Sequence, residues 1–201
     1  MYHFIELSIL PDESVSTSFI MSKVMDVLHL CLVNVQKELG HNPVGLSFPA
    51  YRYDPESKGE TKGSLGTKMR LYSLDAAHLE RLQLRQQLRR FEDYVHQRSV
   101  VSLERPNLSF ACFKRVQVDS SVERLARRRA AHLQQPVEEA LAFFRAQGKE
   151  AMMTDLPFVR LHSQSSEQAF RLFVAKVEAK PPTEWRFSTY GLSATVGVPD
   201  V

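Results

Sequence analysis

The seven histidines of this chain are the side chains best suited to moving protons near neutral pH, since an unperturbed imidazole titrates at about 6.5. Three stand in informative places. His29 lies between Leu28 and Leu30 at the edge of an apolar, helically spaced stripe, His132 closes a basic stretch, and His162 precedes the polar run Ser163-Gln164-Ser165. Other hydrolytic machinery is missing from the sequence. There is no glycine-rich phosphate loop and no GxSxG elbow. Carboxylates do not cluster as a two-metal nuclease needs, and no Cys/His spacing suggests a metal site. With these residues, cutting nucleic acid would rely on the 2′-hydroxyl of RNA as nucleophile. That chemistry needs a base for the hydroxyl proton, an acid for the leaving 5′-oxygen, and an alignment of both. Composition does not choose among the histidines. Taken alone, His29 reads as a partly buried structural residue and His132 as the complement of a helix dipole.

The stretch Ser120–Leu133, SSVERLARRRAAHL, could bind what such a base would cut. At 3.6 residues per turn, Arg124, Arg127 and Arg128 share one face and Val122, Leu125, Ala126 and Leu133 lie roughly opposite. Ser120 with Glu123 reads as a capping box. Guanidinium groups make paired, charge-assisted hydrogen bonds to phosphate and to the guanine edge. The groove of A-form RNA admits such a helix only where a loop or stem end opens it. The same pattern also fits a solvated basic face. The net charge of +3 is mild, but the region Lys114–Arg129 is strongly basic.

The elements that must position these residues read as α+β. A first strand is expected at His3–Leu10, a long helix at Ser18–Leu39 ending at Gly40, a second strand at Val44–Ala50 and a loop at Tyr51–Thr67. Within that loop Gly63-Ser64-Leu65-Gly66 is a GxxG sequence, a weak match to backbone-clamping turns. A third strand follows at Lys68–Tyr72, a helix from Asp75 to about Arg90, and a fourth strand at Tyr94–Leu103. The order βαββαβ is the ferredoxin-like plan. After a linker at Glu104–Asn107 come a strand at Ser109–Val118, the basic helix, a helix at Pro136–Gln147, and strands at Pro157–Leu161, Phe170–Val177 and Arg186–Leu192. Cys31 and Cys112 lie far apart in apolar runs and read as buried free thiols, which fits a cytoplasmic location. No apolar run is expected to be long enough to span a membrane, and the first residues lack the features of a signal peptide.

Several short motifs lie in order along the chain. They are ILPDE at the end of Ile5–Glu13, LH at Leu28-His29, VGLSFP at Val44–Pro49, KRVQV at Lys114–Val118 and VERLARRR at Val122–Arg129. LPFVRLHSQSS at Leu156–Ser166, FRLFV at Phe170–Val174 and FSTYGLS at Phe187–Ser193 complete the set. In this combination the chain resembles the CRISPR-associated endoribonucleases of type I-F systems, which mature guide RNA from repeat transcripts. The resemblance implies a ferredoxin-like domain at 1–104 and an RNA-binding α+β region at 105–201 with an arginine-rich helix. It implies cleavage of one CRISPR repeat hairpin at the 3′ base of its stem, without metal or cofactor, leaving a 2′,3′-cyclic phosphate. His29 would handle the 2′-hydroxyl proton, Ser163 would fix the ribose, and Tyr190 would orient His29 or enclose the scissile phosphate. Arg115 and Gln117 would read base edges. Lys114, Arg124, Arg127, Arg128, Arg129, His132 and Ser165 would contact RNA, and Phe170 would stack a nucleotide. The protein would keep its product as a subunit of a type I-F surveillance complex, with no membrane partner. A non-catalytic hairpin-binding subunit is the alternative.

Overall fold

The computed structural model describes residues 1–57, 62–118, 122–147, 154–163 and 168–201, and no side chains at residues 122–124. Ser120 (expected as a helix cap), Ser165 (expected to contact RNA), Gly148 (expected to stop a helix) and the side chain of Arg124 therefore lie outside the described residues. Contacts group the chain into two compact units: Met1–Val116 with Leu156–Val201, and Gln117–Asp155. This grouping by compactness differs from the division by role at residues 104 and 105.

The first unit begins with β1 (Tyr2–Ile9) and α1 (Thr17–Leu39). Ser16 caps α1 by accepting from the Phe19 amide, and Gly40 ends it at φ 75°, a left-handed conformation that suits glycine. Then come β2 (Gly45–Ser47), a small hairpin of β3 (Arg52–Tyr53) with β4 (Gly63–Ser64), and β5 (Lys68–Ser73). The GxxG stretch thus forms hairpin strand and core, for Leu65 is buried.

The single helix expected from Asp75 to Arg90 is instead α2 (Ala76–Glu80), α3 (Leu84–Gln87) and a 3-10 turn at Arg89–Phe91. Gln83 breaks it at φ 47°. The reason is burial. At about 100° per residue, one straight helix would put Leu84 and Leu88 opposite Leu79 and Leu82, whereas the break lets all four be buried. The expected fourth strand is likewise split into β6 (Val95–Gln97) and β7 (Val101–Leu103), which pair with opposite ends of β1. The first sheet has the order β2-β5-β1-β6, with β7 also on β1.

The second sheet is β8 (Phe110–Val116), β9 (Phe158–His162), β10 (Ala169–Ala179) and β11 (Val198–Pro199), in the order β11-β8-β10-β9. Arg186–Leu192, expected as a strand, is a turn region that makes an isolated β-bridge from Phe187 to Asn42. The buried faces of both sheets and of α1 join in one apolar cluster. Cys31 and Cys112 are free and buried within the fold.

One expectation needs correcting. By length and composition alone, α1 is apolar enough to cross a membrane. Its apolar residues, among them Ile20, Val24, Leu28 and Leu32, are instead buried in the protein core. The second unit contains α4 (Val122–Leu133) and α5 (Val137–Ala146).

Candidate active site

His29 is a half-buried residue on α1. Its Nδ1 lies 2.9 Å from the carbonyl oxygen of Thr189. A carbonyl only accepts, so Nδ1 carries the hydrogen, and in the neutral ring Nε2 keeps its lone pair. The ring also stacks on Tyr190, with centroids 4.2 Å apart and planes 10° from parallel. The hydrogen bond and the stack together set the direction in which Nε2 faces.

The partner segment is held firmly. Ser188 Oγ donates to the Leu192 carbonyl at 2.8 Å, and the Gly191 amide to the Ser188 carbonyl at 2.8 Å. Gly191 sits at φ 71°, and a Cβ there would come 2.8 Å from that of Leu46. The Gly191 carbonyl in turn accepts from the Leu46 amide at 2.7 Å. Asn42, only 1% exposed, donates to the Ser188 carbonyl at 2.6 Å. The pattern FSTYGLS could not become a strand, because Ser188 bonds its own turn and glycine takes a left-handed φ.

Phe170 meets Tyr190 edge-on, with centroids 6.5 Å apart. The Arg115 guanidinium lies 5.6 Å from the Phe170 ring centroid and 5.8 Å from that of Tyr190. Burial pushes the Tyr190 hydroxyl above its ordinary pKa; the Arg115 charge opposes this and the Asp26 charge adds to it. Tyr190 is therefore a neutral phenol at physiological pH and no phenolate base.

Ser163 follows β9, and a second feature of α1 locates it. The Arg160 amide donates to Ser22 Oγ at 3.1 Å and the His162 amide to Asp26 Oδ1 at 3.3 Å. Two polar residues four apart on α1 thereby cover the free edge of β9. Four helical residues advance about 6 Å and two strand residues about 6.6 Å, so the helix and strand stay in step. The same progression carries Ser163 to the level of Leu28 and His29. Its amide donates to the Gln168 carbonyl at 3.0 Å, extending the ladder with β10. Sequence reading missed Ser22, Asp26 and Asn42. The first two had a visible signal, a polar i, i+4 pair beside the apolar stripe of the helix.

Lys114 and Arg115 are neighbours on β8 and so project to opposite faces of the sheet. Gln117 belongs to the second unit. There Ala126, 0% exposed, packs with Ala130 and Ala140, flanked by Val137, Leu141 and Phe144. Ala126 and Ala130 are thus the packing face of α4 against α5. Arg127, Arg128 and His132 are exposed. Arg129 lies over the Phe143 ring at 3.7 Å, and its buried Nε has no hydrogen-bond partner among the described residues. Leu125, Arg128, Arg129, His132, Leu133 and Phe144 line one open, apolar-floored cavity. Among the described residues, no group of three His, Cys, Asp or Glu side chains is placed to share a metal ion.

Residues 4–201 match the family model described as CRISPR-associated protein (Cas_Csy4). The chain is 32% identical over 201 residues to the CRISPR-associated endonuclease Cas6/Csy4 of Escherichia coli (strain UTI89), covering 99% of both. It is 31% identical over 200 residues to the protein of the same name from Pseudomonas aeruginosa (strain UCBPP-PA14), again covering 99% of both. A solved Cas6 product complex aligns over 96% of this chain and 89% of that one, at 14% identity and a TM-score of 0.28, a likeness too distant to bear on function.

Proposed function

Because the chain belongs to the CRISPR-associated Csy4 family, we propose that it is an endoribonuclease that matures CRISPR guide RNA. The relatives named as endonucleases support the class of activity. The finer reading is cleavage of a repeat hairpin at the 3′ base of its stem, without metal. His29 Nε2 takes the proton of the 2′-hydroxyl, whose oxygen attacks the adjacent phosphorus. The bond to the 5′-oxygen breaks, and that oxygen takes up one proton, from water or back from the imidazolium, so that no net proton is gained or lost. The products are a 2′,3′-cyclic phosphate and a 5′-hydroxyl. Ser163 hydrogen-bonds the ribose, and Tyr190 holds the imidazole. Phe170 and Arg115 offer a stacking ring and a base-reading guanidinium beside them. The observation that carries this reading is the paired restraint on His29, a carbonyl at Nδ1 and a phenol ring beneath. Such restraint is what a general base needs in order to meet a hydroxyl in line.

Residues 1–104 act as a ferredoxin-like domain in this proposal. The strand order β2-β5-β1-β6 supports it, being the order of a split βαβ sheet. Residues 105–201 supply RNA contacts. Lys114, Gln117, Arg124, Arg127, Arg128, Arg129, His132 and Ser165 are the proposed set, with α4 as the cationic grip on the stem. Most of these contacts are made to the hairpin and survive cleavage. The protein accordingly keeps its guide RNA and joins a type I-F surveillance complex in the cytoplasm.

The test is incubation with the cognate repeat RNA in excess chelator. The expected result is one cut at the stem foot with a cyclic-phosphate end, lost when the ribose there is 2′-deoxy while binding persists. Hairpin binding with no cut would establish the non-catalytic subunit instead. Activity that vanishes with chelator and returns with a divalent cation would establish a metal route.

A further inference from the structure

The second sheet has two faces of opposite character. Directly opposed residues of antiparallel strands project to the same side. Pairing sets Arg160 against Arg171, Phe158 against Phe173 and His162 against Ala169. It also sets Lys114 against Ala175 and Val116 against Phe173. All of these share one face. The other face carries Val159, Leu161, Leu172, Val174 and Phe113, all buried in the core, with Phe170 and Arg115 at its end beside Tyr190.

On the outer face Arg160, His162 and Arg171 are exposed, and Lys114 is half-buried. Phe158 and Phe173 are half-buried and pack together, centroids 5.3 Å apart, with the Arg171 guanidinium 4.7 Å from the Phe158 ring centroid. No aspartate or glutamate stands on this face of β8, β9 or β10. A sheet face whose strands carry cations and no acid of their own attracts an anion, and Asp26 of α1 stands only at its edge, accepting from the His162 amide. Aromatic rings among cations suit a flexible polyanion whose bases have flat faces. Arg160 and His162 are two residues apart on β9, about 6.6 Å, so their side chains form a row along the strand. Ser163 comes next and by alternation turns to the core side. The end of β9 therefore separates the proposed ribose contact Ser163 from the cationic face by one residue.

We propose that this outer face, with Arg160, His162, Arg171 and Lys114 around the Phe158–Phe173 pair, binds the single-stranded RNA that continues from the foot of the hairpin. The inference rests on the endoribonuclease reading and extends it: the hairpin selects the substrate, and the sheet face holds its unpaired flank. Two strands leave a stem foot, the 5′ and the 3′ flank, and both have the chemistry this face accepts.

The test uses the full chain carrying His29→Ala, so that RNA stays intact. Binding is measured for a bare hairpin, for one with a 5′ flank of about 8 nucleotides and for one with a 3′ flank of the same length, a span within the reach of a single-strand groove. One flank should tighten binding about tenfold over the bare hairpin. Arg160→Glu with Arg171→Glu should abolish that gain and leave the bare hairpin's affinity unchanged. Arg160→Gln with Arg171→Gln, gentler on folding, should remove most of it. With two cations lost, the salt dependence of the flank's contribution should fall by about 1.4, at 0.7 per phosphate contact on a single strand. The proposal is overturned if neither flank adds affinity, if the substitutions weaken the bare hairpin equally, or if only an acidic protein partner binds this face. Wild-type cleavage of the same RNAs separates the two readings. Cutting without a flank effect sinks this surface alone; a flank effect without cutting sinks the catalytic reading alone.

Discussion

At the scale of residues, one imidazole is held from two sides. The Thr189 carbonyl fixes which nitrogen bears hydrogen, and Tyr190 fixes the ring plane. His29→Ala should cut single-turnover cleavage by at least about 10²-fold, the low end for a positioned general base, with hairpin affinity little changed in a binding titration. Normal cleavage by that variant would remove His29 from the chemistry. In the proposed role Tyr190 acts through its ring, which stacks on His29, while burial raises the pKa of its phenol. Tyr190→Phe should therefore retain cleavage within about threefold, while Tyr190→Leu, which loses an aromatic contact of about 1 kcal/mol, should lose roughly tenfold. Equal losses in the two variants would shift the role to the hydroxyl.

At the scale of elements, the site depends on how α1 is locked to β9. Ser22 and Asp26 accept from the amides of Arg160 and His162, and an edge strand without such partners would expose a bare ladder. Asp26→Ala should lower stability by about 1 kcal/mol, the net worth of one hydrogen bond, read as a denaturant midpoint. It should also slow cleavage through misplacement of Ser163, with hairpin binding kept. Asp26→Asn preserves an acceptor and should restore both. In the second unit, α4 and α5 meet through Ala126, Ala130 and Ala140. Ala126→Leu should overpack that contact by about 1–3 kcal/mol and weaken hairpin binding more than it affects the intrinsic cleavage step. Undiminished affinity would show that α4 does not need α5 to grip RNA.

At the scale of the whole molecule, the buried carboxylate of Glu6 should contribute to acid sensitivity. Glu6 is 3% exposed and accepts from Arg70 at 2.7 Å and from Lys68 at 3.4 Å. Burial alone would raise its pKa, but the Arg70 hydrogen bond and charge, together with Lys68, hold it below the usual carboxylate value. A carboxyl depressed in the folded state contributes stability above its unfolded pKa and loses it as pH falls through the folded one. Melting temperature should thus decline as pH drops below the ordinary glutamate range. Glu6→Gln should start lower at neutral pH and show a flatter acid limb. A limb of unchanged slope would place the acid sensitivity elsewhere.

The sequence alone determined the local and repetitive features. The α1 stripe, its glycine stop, the α+β alternation and the basic stretch all follow from short-range spacing. The family motifs were legible for the same reason, since each is a short contiguous string. Tertiary structure decided what depends on residues far apart. Four leucines had to reach one core, so the helix after β5 broke at Gln83. Arg186–Leu192 turned instead of extending, because Gly191 packs against Leu46 and Asn42 holds Ser188. Ala126 and Ala130, which look like gaps in a cationic helix, are the surface by which that helix packs. His29 itself was ambiguous in sequence: a histidine at the edge of an apolar stripe becomes a candidate base only when a carbonyl and a ring some 160 residues away close on it. Periodicity encodes which face is apolar, while the partner that face meets is set by packing of the whole chain.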